Sequence, residues 1–139
     1  MILLDTNVVS ELMRPRPEAA VVDWMGAQAS LNLYVSTVSE AELRYGLALL
    51  PAGARRNRMQ DEVDGMLRED FAGRILSFNR EAARAYAVVG ATRRMAGWPI
   101  SHADCQIAAI ALSLDAAVAT RNVNDFTHCG IDVVNPWTA

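Results

Sequence analysis

The side chains able to do chemistry in this 139-residue sequence are few and widely spaced: Asp5, Glu42, Asp104, and the polar run Thr120-Arg121-Asn122-Val123-Asn124-Asp125-Phe126. Asp5 closes the apolar run Met1-Ile2-Leu3-Leu4 and opens the amphipathic stretch that follows Thr6-Asn7. A short buried strand that delivers a carboxylate at its C-terminal end is where open α/β sheets place their sites. Glu42 recurs with Val38, Tyr45 and Leu49 at helical spacings of three and four, which puts it on an apolar arc. Glu40 points the other way, toward Arg44, as an ordinary solvated pair. Asp104 falls in line with Ile107, Ala108 and Ala111. An unpaired carboxylate on a buried face is costly, so each needs a metal, a cation or hydrogen bonds.

Helix capping satisfies the same residues one at a time. Ser39-x-x-Glu42 and Ser101-x-x-Asp104 have capping-box spacing, and Asp5 suits the N-cap of the helix after it. Taken together with the polar run after a buried strand, the acids describe something else. Oxygen ligands from separate strand ends and helix starts, converging on one crevice, fit a hard cation of the magnesium type.

The elements that must position these residues alternate along the chain. Ile2 to Leu4 reads as a strand, followed by a helix that Pro15 and Pro17 break. Pro17 suits the first position of a helix reaching Gln28. Leu33–Ser36 reads as a strand, Ser39–Leu50 as a helix, Ala54–Phe71 as a long polar helix and Arg74–Phe78 as a short strand. Helices over Arg80–Met95 and Ser101–Leu114 precede strands over Ala116–Thr120 and Ile131–Val134. The pattern predicts one α/β domain over residues 1–139, a parallel sheet of four to five strands with helices on both faces.

Composition narrows the class. With 52% hydrophobic residues the chain can bury a real core. No apolar run reaches the roughly 18 residues of a membrane span, and the N-terminus lacks the basic start of a signal peptide, so a soluble, cytoplasmic protein is expected. A net charge of −3 excludes a generic nucleic-acid coat, which is basic overall. All 13 basic residues are Arg, including Arg14/Arg16, Arg55/Arg56/Arg58 and Arg93/Arg94. Such residues suit bidentate phosphate pairing, although a genomic bias against Lys gives the same composition. Cys105 and Cys129 stand far apart and read as buried small residues.

Four motifs in order carry a family resemblance: Leu4-Asp5-Thr6-Asn7, Glu42-Leu43-x-x-Gly46, Ala103-Asp104 ahead of Ile107-Ala108, and Thr120-x-Asn122-x-x-Asp125-Phe126. Across its whole length the chain resembles PIN-domain ribonucleases. Within them it resembles VapC toxins of toxin–antitoxin modules, and the FitB-type branch through Asn135-Pro136-Trp137. The resemblance implies a PIN-fold endoribonuclease in which Asp5, Glu42 and Asp104 hold one or two divalent cations, Mg²⁺ or Mn²⁺. The family's fourth acid is replaced by Asn122, and Asp125 stands three residues later; both are candidate ligands. Asn brings a carbonyl oxygen but no charge, which weakens affinity for a hard cation. Thr6 and Thr120 match family hydroxyls beside the site.

The resemblance also implies partners: a homodimer, and a small DNA-binding antitoxin that places a segment, often with an Arg, in the acidic site and reaches operator DNA. Leu12, Met13, Trp24 and Met25 offer apolar surface for such contacts, or form core. Arg121, with Arg93 and Arg94, is a candidate for RNA backbone contacts, and His102 for substrate contact. Single-stranded RNA is the expected substrate, because a single strand exposes its backbone to a crevice. Two other classes compete. A receiver-like phosphoacceptor would also gather acids around Mg²⁺, but it needs adjacent acids after its first strand and a Lys, and this chain has neither. A metal-free binding module that keeps the fold for association is favoured only by Asn122.

Overall fold

The N-terminal apolar run forms the central strand. In a computed structural model that describes all 139 residues, β1 (Ile2–Leu4) is followed by α1 (Thr6–Leu12), α2 (Ala19–Ala27), β2 (Leu33–Ser36), α3 (Thr37–Ala48) and α4 (Ala54–Gly65). A π-helical turn, Met66–Asp70, extends α4 to β3 (Ile75–Leu76), and α5 (Arg80–Met95) and α6 (His102–Ser113) lead to β4 (Ala117–Ala119). A 3₁₀ turn over Val123–Phe126 precedes β5 (Val133–Val134). The five strands pair in the order β3-β2-β1-β4-β5, all parallel. This is the expected α/β architecture.

Both faces of the sheet are covered, and the strand period of two sorts the residues between them. Leu3 and Val118 face a core built with Ile107, Ile110 and Phe126 on the α5/α6 side. Leu4, Val35 and Ala119 face the other core, with Val8, Val9, Val21 and Val63 from α1, α2 and α4. Leu3 and Leu4 have no solvent exposure at all. Strand β1 is thus pinned on both sides, and its C-terminal end cannot shift without disturbing both cores. Leu12, Met13, Trp24 and Met25 pack, half-buried, against the second core.

Several element boundaries differ from the sequence-based expectation. Helix α2 begins at Ala19, not Pro17, because the Glu18 amide is turned toward the Glu11 carboxylate at 3.4 Å while Glu18 keeps extended backbone. Helix α3 begins at Thr37, because Ser36 and not Ser39 is the N-cap: the Ser39 amide donates to Ser36 Oγ at 3.1 Å. That removes Glu42 from any capping box, since it lies two turns or so inside the helix. Strands β3 and β5 are two residues each, shorter than the apolar runs around them.

The Ser36 cap fixes where α3 starts, and with it where Glu42 points. Ser36→Ala is expected to lower stability by about 1 kcal/mol in urea denaturation; an unchanged midpoint would show that neighbouring water serves the Ser39 amide equally well.

Candidate functional site

The strand order reverses between β1 and β4, which makes the crevice at their carboxyl ends the natural place for a site. Asp5 and Thr120, the residues just after these strands, extend the ladder: the Asp5 amide donates to Ala119 O and the Thr120 amide to Val134 O, each at 2.9 Å. Their side chains then meet. The Thr120 hydroxyl, fully buried, donates to Asp5 Oδ2 at 2.8 Å. Asn7 Nδ2 lies 3.3 Å from the same oxygen and 3.2 Å from Thr120 Oγ1, while Asn7 Oδ1 accepts the Arg121 amide at 3.2 Å. The Asn122 amide closes the group by donating to Thr120 Oγ1 at 3.0 Å.

Asp5 does two jobs. Its Oδ1 accepts from the Thr6 amide at 2.8 Å, so it caps α1, yet only 6% of it is exposed and its other oxygen faces the cleft network. Thr6, the first residue of α1, reaches across to α3. Its hydroxyl oxygen is 2.9 Å from Ser39 Oγ and 3.0 Å from Glu42 Oε1. A hydroxyl has one proton to donate, and the carboxylate is the stronger acceptor. Asp104 stands in the first turn of α6, its amide donating to the N-cap Ser101 Oγ at 3.2 Å. Asp5 thus caps its helix and faces the cleft at once, whereas at α6 the cap is Ser101 and the Asp104 carboxylate is left to line the cleft.

A cleft of about 460 Å³ is lined by Asp5, Thr6, Glu42, Asp104, Arg121 and Asn122, together with Glu11 and Trp137. Three hollows on the molecule are larger, two of them mainly apolar, but only this one brings Asp5, Glu42 and Asp104 together. None of the chain's five ion pairs involves Asp5, Glu42 or Asp104. Burial pushes the Asp5 carboxyl up to about 6; the Thr120 and Thr6 hydrogen bonds oppose the rise, and the charges of Asp104 and Glu42 add to it. Burial also raises Asp104, helped by Asp125 and Glu42 and opposed by Ser101 and Arg93. Converging, all-oxygen donors held without a counter-cation suit a hard divalent ion. No three Asp, Glu, His or Cys side chains already stand at coordinating distance of one point. An ion would draw these carboxylates together, with water completing its shell.

The structure corrects how two residues were read. Glu42 is not on a buried arc: it is exposed, and so are its supposed arc partners Tyr45 and Leu49, at 67% and 68%. The buried stripe of α3 runs through Ser39, Leu43 and Leu47 instead. Glu40 is the less exposed of the two acids, and pairs with Arg44 at 2.8 Å as expected. What distinguishes Glu42 is its direction, toward Thr6 and the cleft. Asp125 does not line the cleft; it borders an adjoining hollow with Arg121, Asn122 and Asn135. Its amide bonds to Asn122 O at 3.0 Å within the 3₁₀ turn, and its charge is still felt at Asp104.

Arg93 is no surface arginine. It is buried, donating to the carbonyls of Trp98, Asp125 and Thr127, whereas Arg94 is exposed. His102 stands at the start of α6 with Nδ1 2.7 Å from the Tyr86 hydroxyl, outside the cleft lining. Cys105 and Cys129 are buried and unbridged. Sequence reasoning did not give Asn7 a role, although it links Asp5, Thr120 and residue 121; its only trace was membership of the Leu-Asp-Thr-Asn run. Arg121 has its guanidinium 5.1 Å above the Trp137 ring, and no carboxylate partner.

The PIN domain family model matches residues 2–130. The chain is 48% identical over 139 residues to the plasmid stability protein StbB of Pseudomonas syringae pv. tomato, covering all of both chains. It is 44% identical to the VapC ribonuclease Y4jK of Sinorhizobium fredii, covering 99% of this chain and 98% of that one. The crystal structure of FitAcB from Neisseria gonorrhoeae contains a chain of the same fold, with a TM-score of 0.93, 40% identity and full coverage of both chains.

A carboxyl raised toward 6 lets the folded chain hold a proton that the unfolded chain has released, so stability falls as pH rises from 3.8 to about 6 and the full cost stands above it. In metal-free protein Asp5→Asn is expected to raise stability at pH 7.5 by on the order of 1–3 kcal/mol. The gain should shrink toward pH 4. A gap of equal size at both pH values in chemical denaturation would mean that charge is not its source.

Proposed function

The chain belongs to the PIN-domain family, and from that premise we propose that it is the ribonuclease toxin of a toxin–antitoxin pair, a divalent-metal-dependent endoribonuclease acting on RNA. One observation carries the reading. Carboxylates from the end of β1, the middle of α3 and the start of α6 face a single cleft and none of the three is ion-paired: of the two arginines in its lining, Arg14 pairs with Glu11 and Arg121 stacks on Trp137. The relative named a VapC ribonuclease, at 44% identity, supports the reaction class.

Asp5, Glu42 and Asp104 would hold Mg²⁺ or Mn²⁺, with Asn122 offering an uncharged carbonyl oxygen. When bound, such an ion lowers the pKa of a water and neutralises charge on the phosphate. The chain's own residues divide the remaining work. Thr120 and Asn7 hold Asp5 in one orientation. Thr6 holds Glu42, whose exposed carboxylate suits it to accept a proton from the attacking water. Arg121, stacked on Trp137 at the cleft wall and unpaired, is a phosphate contact. Asp125, set beside the cleft, acts on the site through its charge on Asp104 and is a weaker candidate as ligand.

The partner reading rests on a second hollow of about 550 Å³ between α1, α3 and α4, which shares Thr6, Ser10, Arg14 and Glu42 with the cleft; its lining includes the apolar Met13, Leu43, Leu47 and Met59 and, among charged residues, Arg55 and Glu62. A peptide with apolar side chains and one Arg fits the two hollows together, as an antitoxin segment would. Solved structures similar to this chain include FitAB bound to a DNA fragment, at 39% identity and a TM-score of 0.92. By that likeness operator DNA would be reached through the antitoxin. Exposed Tyr45 and Leu49, four residues apart on α3, offer apolar surface for a second copy. No helix is long and apolar enough to cross a membrane, and the cytoplasm, where RNA substrates are, is the compartment this function requires. A second reading, a catalytically weak module acting through its complex with antitoxin, is favoured by Asn122 alone.

Antitoxin-free protein is expected to cleave single-stranded RNA with Mg²⁺ or Mn²⁺ and to stop with EDTA. Glu42→Gln should lose at least about a hundredfold in rate and Glu40→Gln less than about twofold. Equal rates for the two variants would sink the assignment, and cleavage undiminished by EDTA would sink the metal.

A further inference from the structure

On the far side of the 3₁₀ turn lies a third hollow, of about 660 Å³, bounded by Arg93, Trp98, Pro99, Asn124, Thr127 and His128. Its floor is a cation without an anion. Arg93 is 5% exposed, and its Nε and Nη1 donate to Trp98 O at 2.7 Å, Asp125 O at 2.6 Å and Thr127 O at 3.0 Å. These carbonyls satisfy hydrogen bonds but not a full charge, and no Asp or Glu pairs with Arg93. Nη2 makes no hydrogen bond within the chain. Position in the last turn of α5 offsets part of the cost of a buried cation, because the helix dipole favours positive charge there.

The wall of the hollow is aromatic. Trp98 is 54% exposed, and the His128 ring lies 4.9 Å from it at a tilt of 49°, which leaves ring faces open to a further planar group. His128 is held there by left-handed backbone at φ +60°, a conformation uncommon for a residue with a β-carbon. A path joins this hollow to the carboxylate cleft. Arg121 and Asn122 border both the cleft and the intervening hollow of about 370 Å³, and Asn124 borders both that hollow and the aromatic one. Arg93 is near enough for its charge to be felt at Asp104.

We propose that this hollow binds one nucleotide unit of the RNA strand whose scissile phosphate sits in the carboxylate cleft, the base stacking on Trp98 and a phosphate facing Arg93. The inference rests on the ribonuclease reading above for its polymer, though not for its ligand chemistry. An anion and a flat ring are what an unpaired guanidinium beside exposed aromatic faces recognises, and a nucleotide brings both. Asn124 and Thr127 add polar contacts suited to a base edge or sugar. The strand would then run from the cleft over residues 121–124 to Trp98.

Two variants keep the test independent of folding: Trp98→Leu removes the stacking face, and His128→Asn keeps a residue that tolerates left-handed backbone. Arg93 is left intact because three carbonyls depend on it. With full-length, antitoxin-free protein, each variant is expected to raise KM for a short single-stranded RNA by about tenfold, with a smaller change in kcat. Each should weaken binding of 5′-AMP and 5′-UMP, followed by NMR, by a similar factor, with inorganic phosphate alone binding more weakly than either nucleotide. Cleavage by the wild type with unchanged KM and nucleotide binding in both variants would overturn the site and leave the ribonuclease reading standing. Nucleotide binding lost in the variants of a protein that cleaves no RNA would support the site and overturn that reading. Dissociation of a dimer in light scattering, with nucleotide binding unchanged, would assign the face to a contact between copies and overturn the proposal.

Discussion

A carboxylate held almost out of water at the end of a fully buried strand sets the terms for the rest of this molecule. Asp5 can stay there because Thr120 and Asn7 donate to one of its oxygens and the Thr6 amide to the other. Those three donors come from the neighbouring strand end and the start of α1, so the position of Asp5 depends on β1 and β4 keeping their register. Register in turn depends on the two apolar cores that grip Leu3 and Leu4 from opposite faces. Hydrogen bonds stabilise the charged form, yet burial and the neighbouring acids outweigh them and leave the carboxyl at about 6. A positive group brought to that carboxylate would offset the cost of its burial.

Function then follows from what the cleft has and lacks. It has oxygen donors of three acids, and it has Arg121 fixed by Asn7 at its backbone and by Trp137 at its guanidinium. No cation is paired to Asp5, Glu42 or Asp104; the cleft's other acid, Glu11, pairs with Arg14. A phosphate approaching such a surface unaided is repelled, so a divalent ion, or an arginine supplied by a partner, is needed to bring an anion or a peptide in. Under the proposed function the same electrostatics would serve both RNA cleavage and its inhibition by an antitoxin. The apolar hollow beside Glu42 gives a partner's segment somewhere to anchor.

Much of this was legible in the residues. The parallel sheet followed from apolar runs of strand length alternating with amphipathic stretches, and Asp5, Glu42, Asp104 and Asn122 do face one cleft. Glu42, however, was singled out on a wrong premise. Helical phase groups it with Tyr45 and Leu49 as though large apolar residues were buried, whereas both are exposed and the core-facing stripe is Ser39, Leu43 and Leu47. A helix periodicity reports spacing, not which stripe meets the core. Arg93 illustrates the other limit. Nothing in its neighbourhood of sequence shows that three carbonyls, two of them more than thirty residues away, would enclose it. Asp125 lies outside the cleft, in a 3₁₀ turn after Asn122 that spacing alone does not reveal.

The account stands on Asp5 being the anchor of a bound divalent ion rather than a cap that happens to be acidic. Calorimetric titration of Mn²⁺ into the antitoxin-free protein and into Asp5→Asn compares the two directly. The account predicts saturable binding to the wild type and an affinity at least about tenfold lower in the variant, since one charged ligand is lost. Equal affinity in the two proteins would contradict it.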